Sequence, residues 1–186
     1  MIDSGKSNRL AIAWMEDTLV GPLQIGASEK GLSSIILMGA DRFPPLAMGK
    51  DIRRNSQALR FLDQAVDQLK AYFKRSLREF DIPLDLTGQT AYTKRILMAT
   101  AAIPYGSVIT YGELAWQSGS PQGARAVGGA MRRNPIPIII PCHRVLTSKH
   151  KLHGYSARPG LAAKARLLEL EGLRVVDEQV LVEKSL

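Results

Sequence analysis

Asn134-Pro135-Ile136-Pro137-Ile138-Ile139-Ile140-Pro141-Cys142-His143-Arg144-Val145 contains the only cysteine of a 186-residue chain. Pro135, Pro137 and Pro141 exclude a helix here, because proline lacks the amide hydrogen and its ring clashes with the preceding turn. The wholly apolar Ile138-Ile139-Ile140 is therefore expected to be extended and buried, delivering Cys142 from the interior. Upstream, Thr110 is placed to cap a short helix over 111–117, Gly119-Ser120-Pro121 reads as a turn, and 124–132 as a second helix. Helix, short turn and helix is the layout of a helix-turn-helix DNA reader, a weak signal alone since many helix pairs share it. Downstream, a last helix over about 161–171 turns Leu161, Ala165, Leu167 and Leu168 inward and stops at Gly172, which suits a helix C-terminus.

The N-terminal part has a different rhythm. Apolar runs from Leu10 to Met15, Leu23 to Ile25 and Ile35 to Leu37 are separated by Gly21-Pro22 and Glu29-Lys30-Gly31, which predicts an antiparallel meander. Asp41 to Asn55 is polar and rich in Pro and Arg, and reads as a loop. Leu59, Leu62, Ala65, Val66, Leu69, Tyr72 and Phe73 recur three and four apart, which predicts a helix whose apolar stripe covers the sheet. Pro83 and the segment 84–89 mark a boundary, after which a helix over about 92–102 stops before Pro104-Tyr105-Gly106. The class is α+β, divided into an N-terminal domain over 1–86 and a C-terminal one over 87–186.

Hydrophobic residues make up 45% and charged residues 23% of the chain, ordinary globular usage that excludes disordered and fibrous classes. No apolar stretch approaches the roughly 20 residues a helix needs to cross a bilayer. The segment 1–10 is polar without a cleavable apolar stretch, so a cytoplasmic protein without a membrane partner is expected. A single cysteine supplies neither an internal disulfide nor a thiolate-rich zinc site, so no structural metal and no cofactor are expected. The formal net charge of +8 favours polyanionic partners, nucleic acid first, although a merely soluble basic protein fits the charge equally well.

A free cysteine with a pKa near 8.5 is only about 3% thiolate at pH 7, and neighbouring cations or bases raise that share. His143 and Arg144 beside Cys142 therefore point to a nucleophile, whereas a lone cysteine with other neighbours is more often an inert core residue. Gly128-Gly129 inside a helix costs about 1 kcal/mol per residue relative to alanine, which suggests that something approaches that backbone closely.

The stretch from Asn134 to Val145 resembles the active-site signature of the O6-alkylguanine-DNA alkyltransferases, also called methylated-DNA–protein-cysteine methyltransferases. Arg125-Ala126-Val127-Gly128-Gly129-Ala130-Met131-Arg132 is similar to that family's recognition-helix segment. The resemblance extends over about residues 70–172 and includes Ile103-Pro104-Tyr105-Gly106 and Thr110-Tyr111-Gly112-Glu113-Leu114-Ala115; earlier residues match only as a strand and helix layout.

The resemblance implies an N-terminal ribonuclease H-like α/β domain and a C-terminal winged-helix-like DNA-binding domain. It implies DNA repair by a monomer that flips O6-alkylguanine out of duplex DNA from the minor groove and moves the alkyl group irreversibly to Cys142. Displacement at saturated carbon needs a soft, aligned nucleophile, and the thioether product offers water no carbonyl to attack, so each molecule reacts once. In the family's arrangement a water links Cys142 to His143, Glu171 orients that histidine, and Asn134 holds the turn before the active-site segment. Tyr111 would contact the target nucleotide, and Arg125 would fill the gap left by the flipped base. Small residues such as Ala126 and Gly128 would let the helix enter the minor groove, while Val145, Ser148 and Ser156 would line the substrate site.

The match departs at Gly154-Tyr155-Ser156-Ala157-Arg158-Pro159-Gly160-Leu161, a substrate loop longer than the short family form and lacking the usual Gly-Gly pair. Leu97 stands where the family usually has tryptophan. Three other readings compete. A non-enzymatic damage sensor of the same fold would lack the reactive cysteine. A helix-turn-helix regulator would prefer one sequence by orders of magnitude. A cysteine hydrolase would need turnover and an oxyanion hole, for which no motif stands out.

Overall fold

The computed structural model describes residues 10–38, 56–153 and 160–181. The expected loop over 41–55 and the substrate-loop residues 154–159, Ser156 among them, lie outside the described residues.

The N-terminal sheet is the expected meander: β1 (Ala11–Met15), β2 (Leu23–Ser28) and β3 (Gly31–Leu37), antiparallel in the order β1-β2-β3. Alternation decides which face is covered. Leu23, Ile25 and Ala27 of β2 are fully buried and Ile35 and Leu37 of β3 are buried, whereas Ile36 between them is exposed. Helix α1 (Ser56–Phe73) covers that face with Ala58, Leu62, Ala65, Leu69 and Tyr72, a row spaced four, three, four and three. Gly31 is required by a close approach, since a Cβ there would meet Pro83 O at 2.2 Å. That approach lets Leu32 donate to Pro83 O at 2.8 Å and accept from Asp85 N at 2.7 Å, tying the crossing segment to the sheet.

The C-terminal half is helical. Helix α2 (Ala91–Ala101) is capped by Thr90. The two-residue strand β4 (Ile109–Thr110) pairs in parallel with β5 (Val145–Leu146), so the chain before α3 (Tyr111–Gln117) lies beside the chain just after the cysteine. Thr110 and Glu113 form a reciprocal capping box that fixes where α3 begins. Helix α4 (Ala124–Arg132) packs on α3 through Leu114, Ala115, Val127 and Ala130, giving the helix-turn-helix, with Gly119 at φ +71° in the turn. Helix α5 (Leu161–Leu170) ends at Glu171 and Gly172, the glycine having φ +90° as a C-terminal stop requires. A hairpin of β6 (Arg174–Val176) and β7 (Gln179–Leu181) follows.

One expectation fails. The segment 135–141 is buried but not extended: Ile138 has φ +76°, Ile140 N donates to Ile136 O at 2.9 Å, and Pro137 and Ile140 form an isolated bridge across a tight turn. The prolines exclude helix as argued; Pro135 O accepts from Ile35 N of β3 at 2.8 Å, while beyond it the run folds back on itself and pairs its own polar groups. A single apolar cluster runs from Ala11 through Tyr72, Ile96 and Ile140 to Leu170, so both halves share one core that encloses the cysteine turn. Among the described residues no helix is long and apolar enough to cross a membrane.

Candidate active site

Cys142 opens a 3-10 turn, Cys142–Arg144, and is 7% exposed. Asn134 ties it to the turn before it. Its amide nitrogen donates to Ile140 O at 2.8 Å and lies 3.2 Å from Cys142 Sγ, while its side-chain oxygen accepts from Ile136 N at 3.0 Å. One side chain thus closes the isoleucine turn and touches the sulfur it presents.

Behind the thiol, Glu171 closes α5 and is buried, unlike the solvated carboxylate expected of a helix end. Its Oε1 accepts from Tyr72 OH at 2.7 Å, His143 Nε2 at 2.8 Å and Arg144 Nη2 at 2.8 Å. Its Oε2 accepts from Arg144 Nε at 2.9 Å and Gly106 N at 3.2 Å. Burial alone would raise this carboxyl, but the His143 hydrogen bond and the Arg144 guanidinium outweigh it and hold the pKa at about 2. The charge of the cluster therefore sits on Glu171 and Arg144, and burial keeps the His143 imidazole below its ordinary value and neutral. An ionised carboxylate accepts only, so Nε2 must carry the imidazole proton. That leaves Nδ1, which has no protein partner among the described residues, as an open acceptor.

Lys164 was not singled out in the sequence. It is 1% exposed, and its Nζ donates to Val145 O at 2.7 Å and His153 O at 3.2 Å. Burial lowers its pKa to about 8, against the pull of the nearby Cys142. Tyr111 OH donates to the same His153 carbonyl at 3.3 Å, and its pKa is raised to about 12 by burial and by the proximity of Cys142. The thiol itself is raised by burial, a rise partly offset by the Asn134 hydrogen bond and the Lys164 charge. Burial thus opposes ionisation of the resting sulfur, and the His143 and Arg144 side chains are hydrogen-bonded to Glu171.

In front of Tyr111 lies a groove of about 620 Å³, lined by Tyr111, Gly112, Ala124, Arg125, Gly128, Gly129, Arg132, Thr147, Ser148 and His153. Its size is in the range of small-molecule sites. Cys142 is not among the lining residues; Tyr111, whose hydroxyl feels the Cys142 charge and donates to the His153 carbonyl, is on the groove wall. Arg125 and Ala126 are exposed on α4, and a Cβ at Gly128 would meet nothing within 4 Å.

Comparison with known proteins decides the family. A family model for the DNA binding domain of 6-O-methylguanine DNA methyltransferase matches residues 91–173, and one for the ribonuclease-like domain of the same family matches 15–86. The methylated-DNA–protein-cysteine methyltransferase of Methanosarcina acetivorans is 40% identical over 153 residues, 82% of this chain and 93% of that one. The chain belongs to the 6-O-methylguanine DNA methyltransferase family. Within it, the Mycobacterium tuberculosis methylated-DNA–protein-cysteine methyltransferase is 53% identical over 110 residues, 59% of this chain and 65% of that one. The aligned region thus spans just under two thirds of the mycobacterial protein. The fold of this family member also matches a solved structure of M. tuberculosis OGT in complex with DNA, with TM-score 0.67, 38% identity, and coverage of 85% of this chain and 90% of that one.

Of the sequence candidates, the structure gathers Cys142, His143, Asn134, Glu171 and the Val145 carbonyl into one buried cluster, and puts Tyr111, Arg125, Gly128 and Ser148 on the groove. Ala126 shares the exposed side of α4 without lining that groove. Sequence reasoning missed Lys164, Tyr72 and the part played by Arg144. Lys164 had a readable signal: with Leu161, Ala165 and Leu168 it occupies the i, i+3, i+4, i+7 stripe that faces inward, where an unpaired charge is out of place. Tyr72 had none, because its partner Glu171 lies 99 residues away.

Proposed function

We propose that this protein repairs DNA by transferring the alkyl group of O6-alkylguanine in duplex DNA to Cys142, once per molecule. The observation that carries the reading is the Cys142 turn itself. A thiol gripped by Asn134 sits in one buried cluster with a neutral histidine whose Nε2 is committed to Glu171 and whose Nδ1 is open. In the reaction the sulfur attacks the alkyl carbon, the carbon–oxygen bond breaks, and guanine leaves with its oxygen as a carbonyl. The thiol proton passes to Nδ1, through a bridging water in the family's arrangement, and the purine takes up a proton in exchange. Tyr111, held protonated by its raised pKa, is a donor suited to the departing base. Lys164 supplies the positive charge that offsets sulfur ionisation.

Delivery of the base follows from the groove. The DNA-bound M. tuberculosis relative supports DNA as the partner, and the bare surface at Gly128 with exposed Ala126 supports α4 as the element that enters the minor groove of a duplex. Arg125, at the start of α4, would occupy the stack in place of the flipped base, and Ser148 with Ser156 would line the base site. The two-part reading, 1–86 and 87–186, is supported by family-model matches that fall on either side of that boundary. The protein would act in the cytoplasm on DNA and as a monomer, a reading supported by one chain supplying Cys142, Asn134, His143, Glu171 and Lys164 together. Duplex DNA carrying O6-methylguanine should add one methyl group to Cys142, read by mass spectrometry of the peptide. Catalytic turnover, or an unmodified Cys142, would overturn the reading.

A further inference from the structure

Beyond residue 173, where the family model stops, the chain continues into the β6–β7 hairpin. Its two turn residues, Asp177 and Glu178, have φ +49° and +57°, the conformation of a tight hairpin turn and an uncommon one for residues other than glycine. A two-stranded hairpin is marginal by itself, so something must hold it. The partner is the segment 149–152. Leu152 N donates to Glu178 O at 2.7 Å, Val180 N donates to His150 O at 2.9 Å, and the Gln179 amide donates to Lys149 O at 3.1 Å. Val180 is buried with Leu146, Leu152 and Leu168 in a small core separate from the main one.

The position of that segment matters because both of its ends wall the groove, Thr147 and Ser148 before it and His153 after it. The His153 carbonyl accepts from both Tyr111 OH and Lys164 Nζ, at 3.3 and 3.2 Å. We infer that the C-terminal hairpin is a positioning element: by docking on 149–152 it fixes the His153 carbonyl, and through it Tyr111 and Lys164 beside Cys142, so that the reactivity of the thiol depends on a hairpin outside the matched family domain. The inference deepens the alkyl-transfer reading of the same site, but it concerns thiol reactivity and is testable without DNA.

The groups that bear on Cys142 are Lys164 from α5, Tyr111 from α3, the Asn134 amide and the adjacent His143; of these, only Lys164 and Tyr111 are tied to the hairpin through His153. The experiment measures the rate at which iodoacetamide alkylates Cys142 as a function of pH in the full chain, with melting followed in parallel. Val180→Ser should shift the rise of the profile to higher pH and slow the reaction at pH 7 by about fivefold per folded molecule, since reactivity follows the thiolate fraction. Val180→Ile should restore it. Gln179→Ala, which removes one exposed contact and should fold, is expected to shift the profile the same way by about twofold. A lower melting temperature with an unchanged profile in both variants would mean that the hairpin only stabilises, and the inference falls. Should the hairpin variants move the iodoacetamide profile while wild type takes no methyl group from O6-methylguanine DNA, the positioning role stands and the repair reading fails.

Discussion

Glu171→Gln probes the site at the atom that holds most of it. The carboxylate receives donors from Tyr72, His143, Arg144 and Gly106 and is 5% exposed. Glutamine keeps the shape, but it turns an amide group toward donors and leaves the Arg144 guanidinium, 4% exposed, without its counter-charge. Breaking a buried pair from one side costs about 3–5 kcal/mol. The depressed carboxyl gives an independent figure: a fall from 4.5 to about 2 corresponds to about 3 kcal/mol. At roughly 2–4 °C per kcal/mol for a domain of this size, melting should drop by about 6–20 °C. The pH dependence has a definite sign. Because the folded carboxyl titrates below its unfolded value, its contribution is complete above about pH 4.5 and is lost as pH falls toward 2. Urea unfolding at pH 7 and at several points down to pH 3 should therefore show a gap between wild type and variant that narrows on acidification. A gap below about 1 kcal/mol at pH 7, or one that stays constant with pH, refutes the assignment of charge to this cluster.

Other outcomes follow from single contacts. Lys164→Met should slow methyl transfer at pH 7 by about tenfold or more, because the sulfur loses its nearby positive charge; equal rates would remove Lys164 from the reaction. Gly128→Ala should stabilise the fold by up to about 1 kcal/mol, since its Cβ meets open space. The same variant should weaken duplex binding in a gel-shift titration, and unchanged binding would argue against α4 as the minor-groove element. Arg125→Ala should impair repair of duplex DNA more than reaction with free O6-methylguanine base, and equal losses would count against its place in the stack. Asn134→Ala should lower stability by about 1–3 kcal/mol, as buried partners lose their hydrogen bonds, and should slow Cys142 alkylation in a stopped assay.

How much of this was readable in the chain depends on whether the deciding interaction is local. The cap at Thr110, the inward row of α1, the meander and the stop at Gly172 are set by neighbours a few residues apart, and all formed as their spacing required. The isoleucine run was misjudged because burial and strand pairing are different requirements: apolar composition assures the first, while the second needs a partner strand that only the tertiary fold supplies. What surrounds the sulfur was out of reach of the sequence for a similar reason. Adjacency of His143 and Arg144 to Cys142 in sequence says nothing of direction, and a 3-10 turn sends those two side chains to Glu171, 28 and 27 residues on. The cation that does bear on the sulfur, Lys164, comes from another element.

That arrangement suits a protein that reacts once. A sulfur held permanently ionised would be open to any oxidant or alkylating agent, and each accidental hit would consume the molecule. Here burial disfavours ionisation of the resting thiol and the groove lies across Tyr111 and His153, while groups that favour ionisation are already in place: an acceptor at His143 Nδ1 and a lysine near its titration point. Closing a base over the groove would exclude the remaining water and strengthen both the Lys164 charge and the Asn134 dipole at the sulfur. Reactivity would then rise with occupancy of the site rather than with pH alone. Alkylation by a docked purine should accordingly be far less sensitive to pH between 6 and 8 than alkylation by a small solution reagent, and identical pH profiles for the two would show that the site does no more than expose a cysteine.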